Sequence, residues 1–252
     1  MANAKFTEDP MKSLAIAKSV FIKQTIEWVE MIAGYETPNR YQVYYKNPGE
    51  TDYTMLFSCR EMSDYFYRNC CSGESRPFIL NIKHVQNSER NDDFSKELFA
   101  VLDRPFQLSL CCFCGPELVG HFKALDGPTF GKVVQAMSIC DPVYHIYNSS
   151  GKIVYSITTD CLKCGFFCRG SCGMFDPITF LIFEGENFDS KQINSATGKI
   201  IKHSMGLQSL ISDSDNFEVF FPITAKPEDK MNIISCALLI DYLYFEENPN
   251  SI

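Results

Sequence analysis

The sequence predicts a mainly β protein, a barrel or sandwich, with one apolar helix at its end. Three observations carry this. Twenty-one Phe and twelve Tyr stand against a single Trp, and aromatic rings fit the pleated, half-buried surface of strands. After Gly34 the text breaks into short alternating runs separated by Pro, Gly, Asn and Ser. Beyond Pro227 the pattern changes, and Met231 to Phe245 is apolar nearly all round, as in a helix buried on every side or spanning a membrane.

Taken in order, residues 1 to 25 read as a polar, Lys-containing leader, 26–247 as one domain and 248–252 as a short tail. Within the leader, MKSLAIAKSVFIKQ is expected to be helical through Gln24, and Gly34 ends whatever follows Ile26. YQVYY (41–45) alternates, and NPGE (47–50) is a turn. RPFILNI (76–82) places Phe78, Leu80 and Ile82 on one face. YHIYNSSGKIVYSIT (144–158) is two alternating runs around Asn-Ser-Ser-Gly, a hairpin signal. PITFLIFE (177–184) is a further strand. Two pairs of segments echo each other about a hundred residues apart: YQVYYKNPG with YHIYNSSG, and RPFILNI with PITFLIF. GKVV (131), GKIV (151) and GKII (198) recur as turn-then-strand units. Two similar all-β halves would close one barrel or sandwich.

The last helix opens at Pro227, where a missing N–H costs nothing, and Glu228 and Asp229 suit the positive end of its dipole. Met231 to Phe245 would span roughly 22 Å against a hydrocarbon core of ~30 Å. It also contains Asn232 and Asp241, and a carboxylate near a bilayer centre is costly. Length and charge therefore favour a core helix, with Met231, Ile234, Leu238 and Asp241 inside the β structure. A marginal single span is the alternative.

The formal net charge is −8, which argues against a general nucleic-acid binder and against holding an anionic membrane by charge alone. MANAKFTEDPMK puts Glu8 and Asp9 where a secretory signal would be basic and then apolar, and residue 2 is Ala where myristoylation needs Gly. The expected compartment is the cytosol or a cytosolic membrane face, where the twelve cysteines stay reduced. No HExxH, GxSxG, P-loop or GxGxxG occurs, and His84, His121, His145 and His203 are scattered. Covalent chemistry is not expected.

From Glu30 to Glu246 the residues resemble the phospholipid scramblase family. The resemblance is carried by GYETPNRYQV (34–43), RNCCSGESRPF (68–78), LDRPFQLSLCCFC (102–114), GKIIKHSMG (198–206) and DSDNFEVFFP with the apolar segment ending DYLYFE. It implies a tubby-like fold, a closed antiparallel barrel of about a dozen strands around a central C-terminal helix. It also implies calcium-stimulated bidirectional movement of phospholipids between plasma-membrane leaflets, S-acylation at a cysteine cluster, and nuclear and signalling roles with protein partners. The long proline-rich N-terminal region of some members is not matched, so its docking partners are not expected.

The calcium expectation falls on Asp213, Asp215, Asn216 and Glu218. Calcium takes six to eight oxygens, and an EF-type loop supplies them from positions 1, 3, 5, 7, 9 and 12 with Gly at 6. Counting from Asp213, only Asp213 and Asp215 carry carboxylates at ligand positions, position 6 is Glu218 and position 12 is Thr224. Phe217, Val219 and Phe221 alternate as a strand does. One reading is an Asp/Asn turn feeding a barrel strand, the other a weak, non-EF calcium site.

Cys111, Cys112 and Cys114 lie together in SLCCFCGPE and are the candidate acylation sites, with Cys70 and Cys71 a second pair. One acyl chain anchors only marginally, so two or more are needed. Cys161, Cys164, Cys168 and Cys172 contain one CxxC, where structural zinc sites more often combine two, so zinc is not expected. Lys199, Lys202 and His203 form a short basic patch, either an import signal, a phosphate contact or a solvated strand face. Two functions follow from these readings: calcium-stimulated lipid scrambling at the cytosolic face of the plasma membrane, or a non-catalytic, membrane-tethered lipid-sensing adaptor that can enter the nucleus.

Overall fold

The structure, a computed structural model, describes residues 9–25, 38–46, 53–64, 75–85, 96–107, 115–136, 141–159, 177–186, 193–203 and 216–245. Twelve antiparallel strands run in chain order around a closed barrel: β1 Ser19–Gln24, β2 Arg40–Lys46, β3 Tyr53–Met62, β4 Phe78–Val85, β5 Lys96–Arg104, β6 Glu117–Phe122, β7 Thr129–Ala136, β8 Val143–Asn148, β9 Ile153–Thr158, β10 Ile178–Glu184, β11 Gly198–His203 and β12 Asn216–Phe220. Each strand pairs with its sequence neighbours, and β1 against β12 closes the ring, with Val20 opposite Val219 and Ile22 opposite Phe217. Closure removes both sheet edges.

A short helix, α1 (Pro10–Ile16), and a long one, α2 (Pro227–Tyr244), complete the described elements, apart from one 3₁₀ turn at Ile193–Ser195. The barrel interior is filled by α2. Every residue from Asp229 to Leu243 is buried, so the all-round apolar pattern has the physical cause expected of it, a helix enclosed by strands on every side. Among the described residues no helix is long and apolar enough to cross a membrane.

Inward positions alternate as the sequence pattern requires. Tyr41, Val43 and Tyr45 on β2, and Phe78, Leu80 and Ile82 on β4, are all buried. The Asn-Ser-Ser-Gly turn joins β8 to β9, held by Asn148 Oδ1, which accepts from Ser150 N at 3.1 Å and Lys152 N at 3.0 Å. Gly151 there has φ +78°, a conformation that favours glycine. The two echoing segment pairs fall on β2 with β8 and on β4 with β10, each six strands apart in a ring of twelve, so the echo marks opposite walls of one barrel. GKVV is not a turn-then-strand unit. Gly131 lies inside β7.

The expected leader helix is corrected. It stops at Ile16, and Ser19–Gln24 is the strand that closes the ring, so the boundary drawn at residue 25 is no edge of the barrel. Val20, Phe21 and Ile22 are β-branched or aromatic, and β2 and β12 offer backbone partners on both sides, which outweighs a weak helical pattern. Helix α1 lies against the start of α2: the Lys230 ammonium donates to the carbonyls of Leu14 (2.7 Å), Ala15 (3.1 Å) and Ala17 (2.8 Å). A cation at a helix C-terminus satisfies orphan carbonyls and complements the dipole.

Candidate functional site

The strand registers define two rims. β12 leads into α2 at one rim, and α2 leaves the barrel at the other, where Gln24, Arg40, Met62, Phe78, Arg104, Glu117, Ala136, Val143, Thr158, Ile178, His203 and Asn216 end or begin their strands. A polar cluster is built into the interior at this second rim.

Its centre is Asp241 on the last turns of α2, 1% exposed. The Tyr41 hydroxyl donates to Asp241 Oδ2 at 2.8 Å, and Lys202 Nζ lies 3.7 Å from Oδ1. Lys202 also sits over the rings of Phe217 (4.6 Å) and Phe245 (5.0 Å). The last turn of α2 carries no basic residue of its own, so β11 supplies the cation that a helix C-terminus and a buried carboxylate both favour. Beside it, buried Glu61 on β3 accepts from Arg76 Nη2 at 3.2 Å, from the Tyr242 hydroxyl at 3.0 Å and from Asn39 N at 3.0 Å. Phe78 stacks on Tyr242 at 4.0 Å, and the Arg76 and Arg104 guanidinium groups lie over Tyr242 and Phe78, each at 5.5 Å. Glu61 was not singled out from sequence, although it shares the face of Cys59 and Phe57, and an acid in an inward register is a readable signal.

The expected core positions Met231, Ile234, Leu238 and Asp241 are all buried in the barrel. The expected basic patch is not a single surface. Lys202 points inward, 4% exposed, while Lys199 and His203 stand on the outer face. Strand alternation is the reason, because positions 199 and 203 share one face and 202 belongs to the other.

On the outer face of β12, Asn216 and Glu218 stand on the same side, about 7 Å apart along the strand. Asn216 Oδ1 is sheltered and has no hydrogen-bond partner among the described residues. Glu218 Oε2 lies 3.5 Å from His203 Nε2. Both are oxygen donors of the hard type calcium prefers, yet they supply only part of a coordination shell. Asp213 and Asp215 lie outside the described residues.

So do Cys111, Cys112 and Cys114, the pair Cys70 and Cys71, and the set Cys161, Cys164, Cys168 and Cys172. The described strand ends that border these segments all belong to the rim where α2 leaves. Cys59 and Cys236 are buried free thiols. Burial pushes Cys59 up to about 12 and Cys236 higher still, so neither forms a reactive thiolate at neutral pH.

His145 and Ser156 have the composition of a base and a nucleophile, with the ring Nδ1 2.9 Å from the hydroxyl. The Ser156 hydroxyl, however, donates to Gly185 O at 2.6 Å and is fully buried. The ring therefore donates to the serine oxygen rather than withdrawing its proton, and the pair braces β8 against β9. Burial holds both His145 and His84 below the usual histidine pKa of 6.5, against the opposing carboxylates Glu186 for the first and Glu97 and Asp9 for the second. The unfolded chain then binds these protons more readily than the fold does. Their contribution is intact above about pH 6.5 and is lost as pH falls below it. The midpoint of thermal unfolding is expected to drop on going from about pH 7.5 to 5.5, and His84→Gln should flatten that slope.

The architecture defines a helix-filled β-barrel with a polar cluster at one rim, and the comparisons place it. A family model described as Scramblase matches residues 1–247. The chain belongs to the scramblase family. It is 32% identical to phospholipid scramblase 1 of Homo sapiens over 240 residues, covering 94% of this chain and 65% of that protein. It is 29% identical to phospholipid scramblase 4 of Homo sapiens over 233 residues (92% and 62%), and 32% identical to phospholipid scramblase 2 of Bos taurus over 231 residues (90% and 68%). The chain thus spans about two thirds of the length of these relatives. No solved structure matches.

Proposed function

We propose that this protein moves phospholipids in both directions between the leaflets of the plasma membrane, from its cytosolic face and in response to calcium. The supporting observation is the family match across nearly the whole chain. The filled interior shapes the mechanism. A headgroup cannot thread a barrel whose axis is occupied by α2 from Asp229 to Leu243, so lipid movement takes place at the outer surface, where the protein perturbs the bilayer it touches.

Asn216 Oδ1 and the Glu218 carboxylate, with Asp213 and Asp215, would hold the ion, which would supply positive charge for anionic headgroups when bound. Acylation at Cys111, Cys112 and Cys114 would tether the protein to the membrane, two chains or more giving stable anchoring. Without it, the same protein would be free to enter the nucleus, with Lys199 and His203 as the outward part of the basic segment.

The filled interior also favours a second reading, a membrane-tethered lipid-sensing adaptor with nuclear or signalling partners and no transport. Purified protein in vesicles carrying labelled lipid separates the two. Calcium-dependent transfer, lost in Glu218→Ala and Asp215→Ala at unchanged membrane binding, is the result expected for scrambling. Membrane binding with no transfer at any calcium concentration would leave the adaptor.

A further inference from the structure

One junction in the ring differs from all the others. Each of the rest joins strands that follow one another in the chain, so a connection at one rim keeps their ends together. β1 against β12 joins the first strand to the last, and no connection at either rim spans it. A hairpin junction that parts is still held by its loop, whereas this one is held by its contacts alone.

Those contacts are of three kinds. Ser19 to Lys23 lies opposite Phe220 to Asn216 in antiparallel register. Just past the strands, Phe221 N donates to Lys18 O at 3.0 Å. Beyond that, the Lys230 ammonium donates to the carbonyls of Leu14, Ala15 and Ala17. Helix α1 runs directly into β1, and Ser13 Oγ donates to the Tyr45 hydroxyl of β2 at 3.4 Å, so α1 belongs to the β1–β2 lip. α2 follows β12, and Lys230 Nζ lies 5.3 Å from the Phe221 ring, so Lys230 belongs to the other lip. Its three hydrogen bonds therefore fasten one lip to the other. Lys230 is 5% exposed, and parting the lips takes a sheltered ammonium off all three carbonyls.

The interior calls for a junction that can part. α2 is buried from Asp229 to Leu243 and is keyed sideways near both ends. Asn232 donates to Phe130 O beside Gly131 of β7, Asp241 accepts from Tyr41 of β2, and Tyr242 donates to Glu61 of β3. A rod keyed in this way cannot slide lengthwise through a finished ring without leaving every key. A ring that parts at one junction closes around it from the side.

We propose that the β1–β12 junction is the seam at which the barrel opens and shuts, with Lys230 as its bolt. The folded protein parts there as a local event, with β1 and α1 staying on β2. Opening bares Val20 and Ile22 on one lip and Phe217 and Val219 on the other, all buried when the seam is shut. The filled barrel can thereby present part of its apolar interior without unfolding. The proposal goes beyond the scrambling reading and does not depend on it.

Hydrogen exchange of the purified full chain, read by mass spectrometry, is the test. The amides of 18–24 and 216–221 are expected to exchange together, and faster than those of β6–β9. Lys230→Met should speed both segments by about tenfold or more, the equivalent of one hydrogen bond to a charged group, and leave β6–β9 unchanged. Ser19→Cys/Phe220→Cys serves even if Lys230→Met does not fold. These residues are directly opposed, at a Cα separation of ~4.5–5.5 Å that a disulfide spans. With the linked peptide identified by mass, oxidation should slow both segments to the rate of β6–β9, and reduction should restore the difference. Seam segments that exchange no faster than β6–β9 overturn the proposal. So does a Lys230→Met effect spread evenly over all strands, or a formed cross-link that leaves exchange at the seam as it was.

Discussion

Lys202→Met is expected to destabilise the protein by about 3–5 kcal/mol, the range for removing one partner of a buried ion pair. Asp241 is 1% exposed and would then keep the Tyr41 hydroxyl in a site that no longer offers it a facing cation. For a chain of this size that is a fall of roughly 6–20 °C in the unfolding midpoint. Asp241→Leu should cost less, because the Lys202 ammonium keeps two aromatic faces, Phe217 and Phe245, and a desolvated cation–ring contact can be worth about 2 kcal/mol. The double variant Lys202→Met/Asp241→Leu is expected to recover much of the loss, since replacing a buried pair by apolar groups of similar volume is often close to neutral. Urea or thermal unfolding of the three variants checks this. A Lys202→Met protein as stable as the parent would show that the pair does not compensate its own burial.

This expectation bears on what could be read without coordinates. The apolar face of α2 was legible because enclosure demands apolar residues all round, and the length and Asp241 together argued against a span. The strand text was legible where alternation was clean, as in RPFILNI and around Asn-Ser-Ser-Gly. β1 was missed because the helix that does form at Pro10–Ile16 was carried on through Gln24, and only the pairing of β1 with β2 and β12 decides the matter. The split of the basic segment was legible in principle. Once GKIIKH is taken as a strand, period two alone puts Lys202 with Ile200 inside and Lys199 with His203 outside. The partners of Asp241 were not legible, since Tyr41 lies 200 residues away in the chain and Lys202 comes from a separate strand. The same holds for Glu61 with Tyr242, 181 residues apart.

The filled barrel also implies that α2 is seated as a rod, and Gly131→Ala probes the seat. Gly120 on β6 faces Gly131 on β7 across the strands. The Phe130 ring lies where a side chain on Gly120 would go, and the Asn232 amide lies where one on Gly131 would go. Asn232 Nδ2 donates to Phe130 O at 3.3 Å, so Gly131 makes the notch that receives α2, while Gly120 leaves room for the Phe130 ring. A Cβ at position 131 would sit 2.3 Å from Asn232 Nδ2 and 2.3 Å from Tyr147 O, on backbone with φ +153°. Overpacking and backbone strain of this kind together cost about 3 kcal/mol. Asn232→Ala should rescue part of that loss, because it removes the side-chain clash and leaves the one with Tyr147 O. Asn232 and Asp241 are ~13 Å apart along the helix, beyond the separation at which independent substitutions couple. If α2 shifts as one body, Gly131→Ala also displaces Asp241 from Lys202. Gly131→Ala/Lys202→Met should then cost less than the sum of the single changes by about 1 kcal/mol or more. Additivity within about 0.5 kcal/mol would mean that the helix gives locally at Asn232, and that the notch and the polar rim hold it independently.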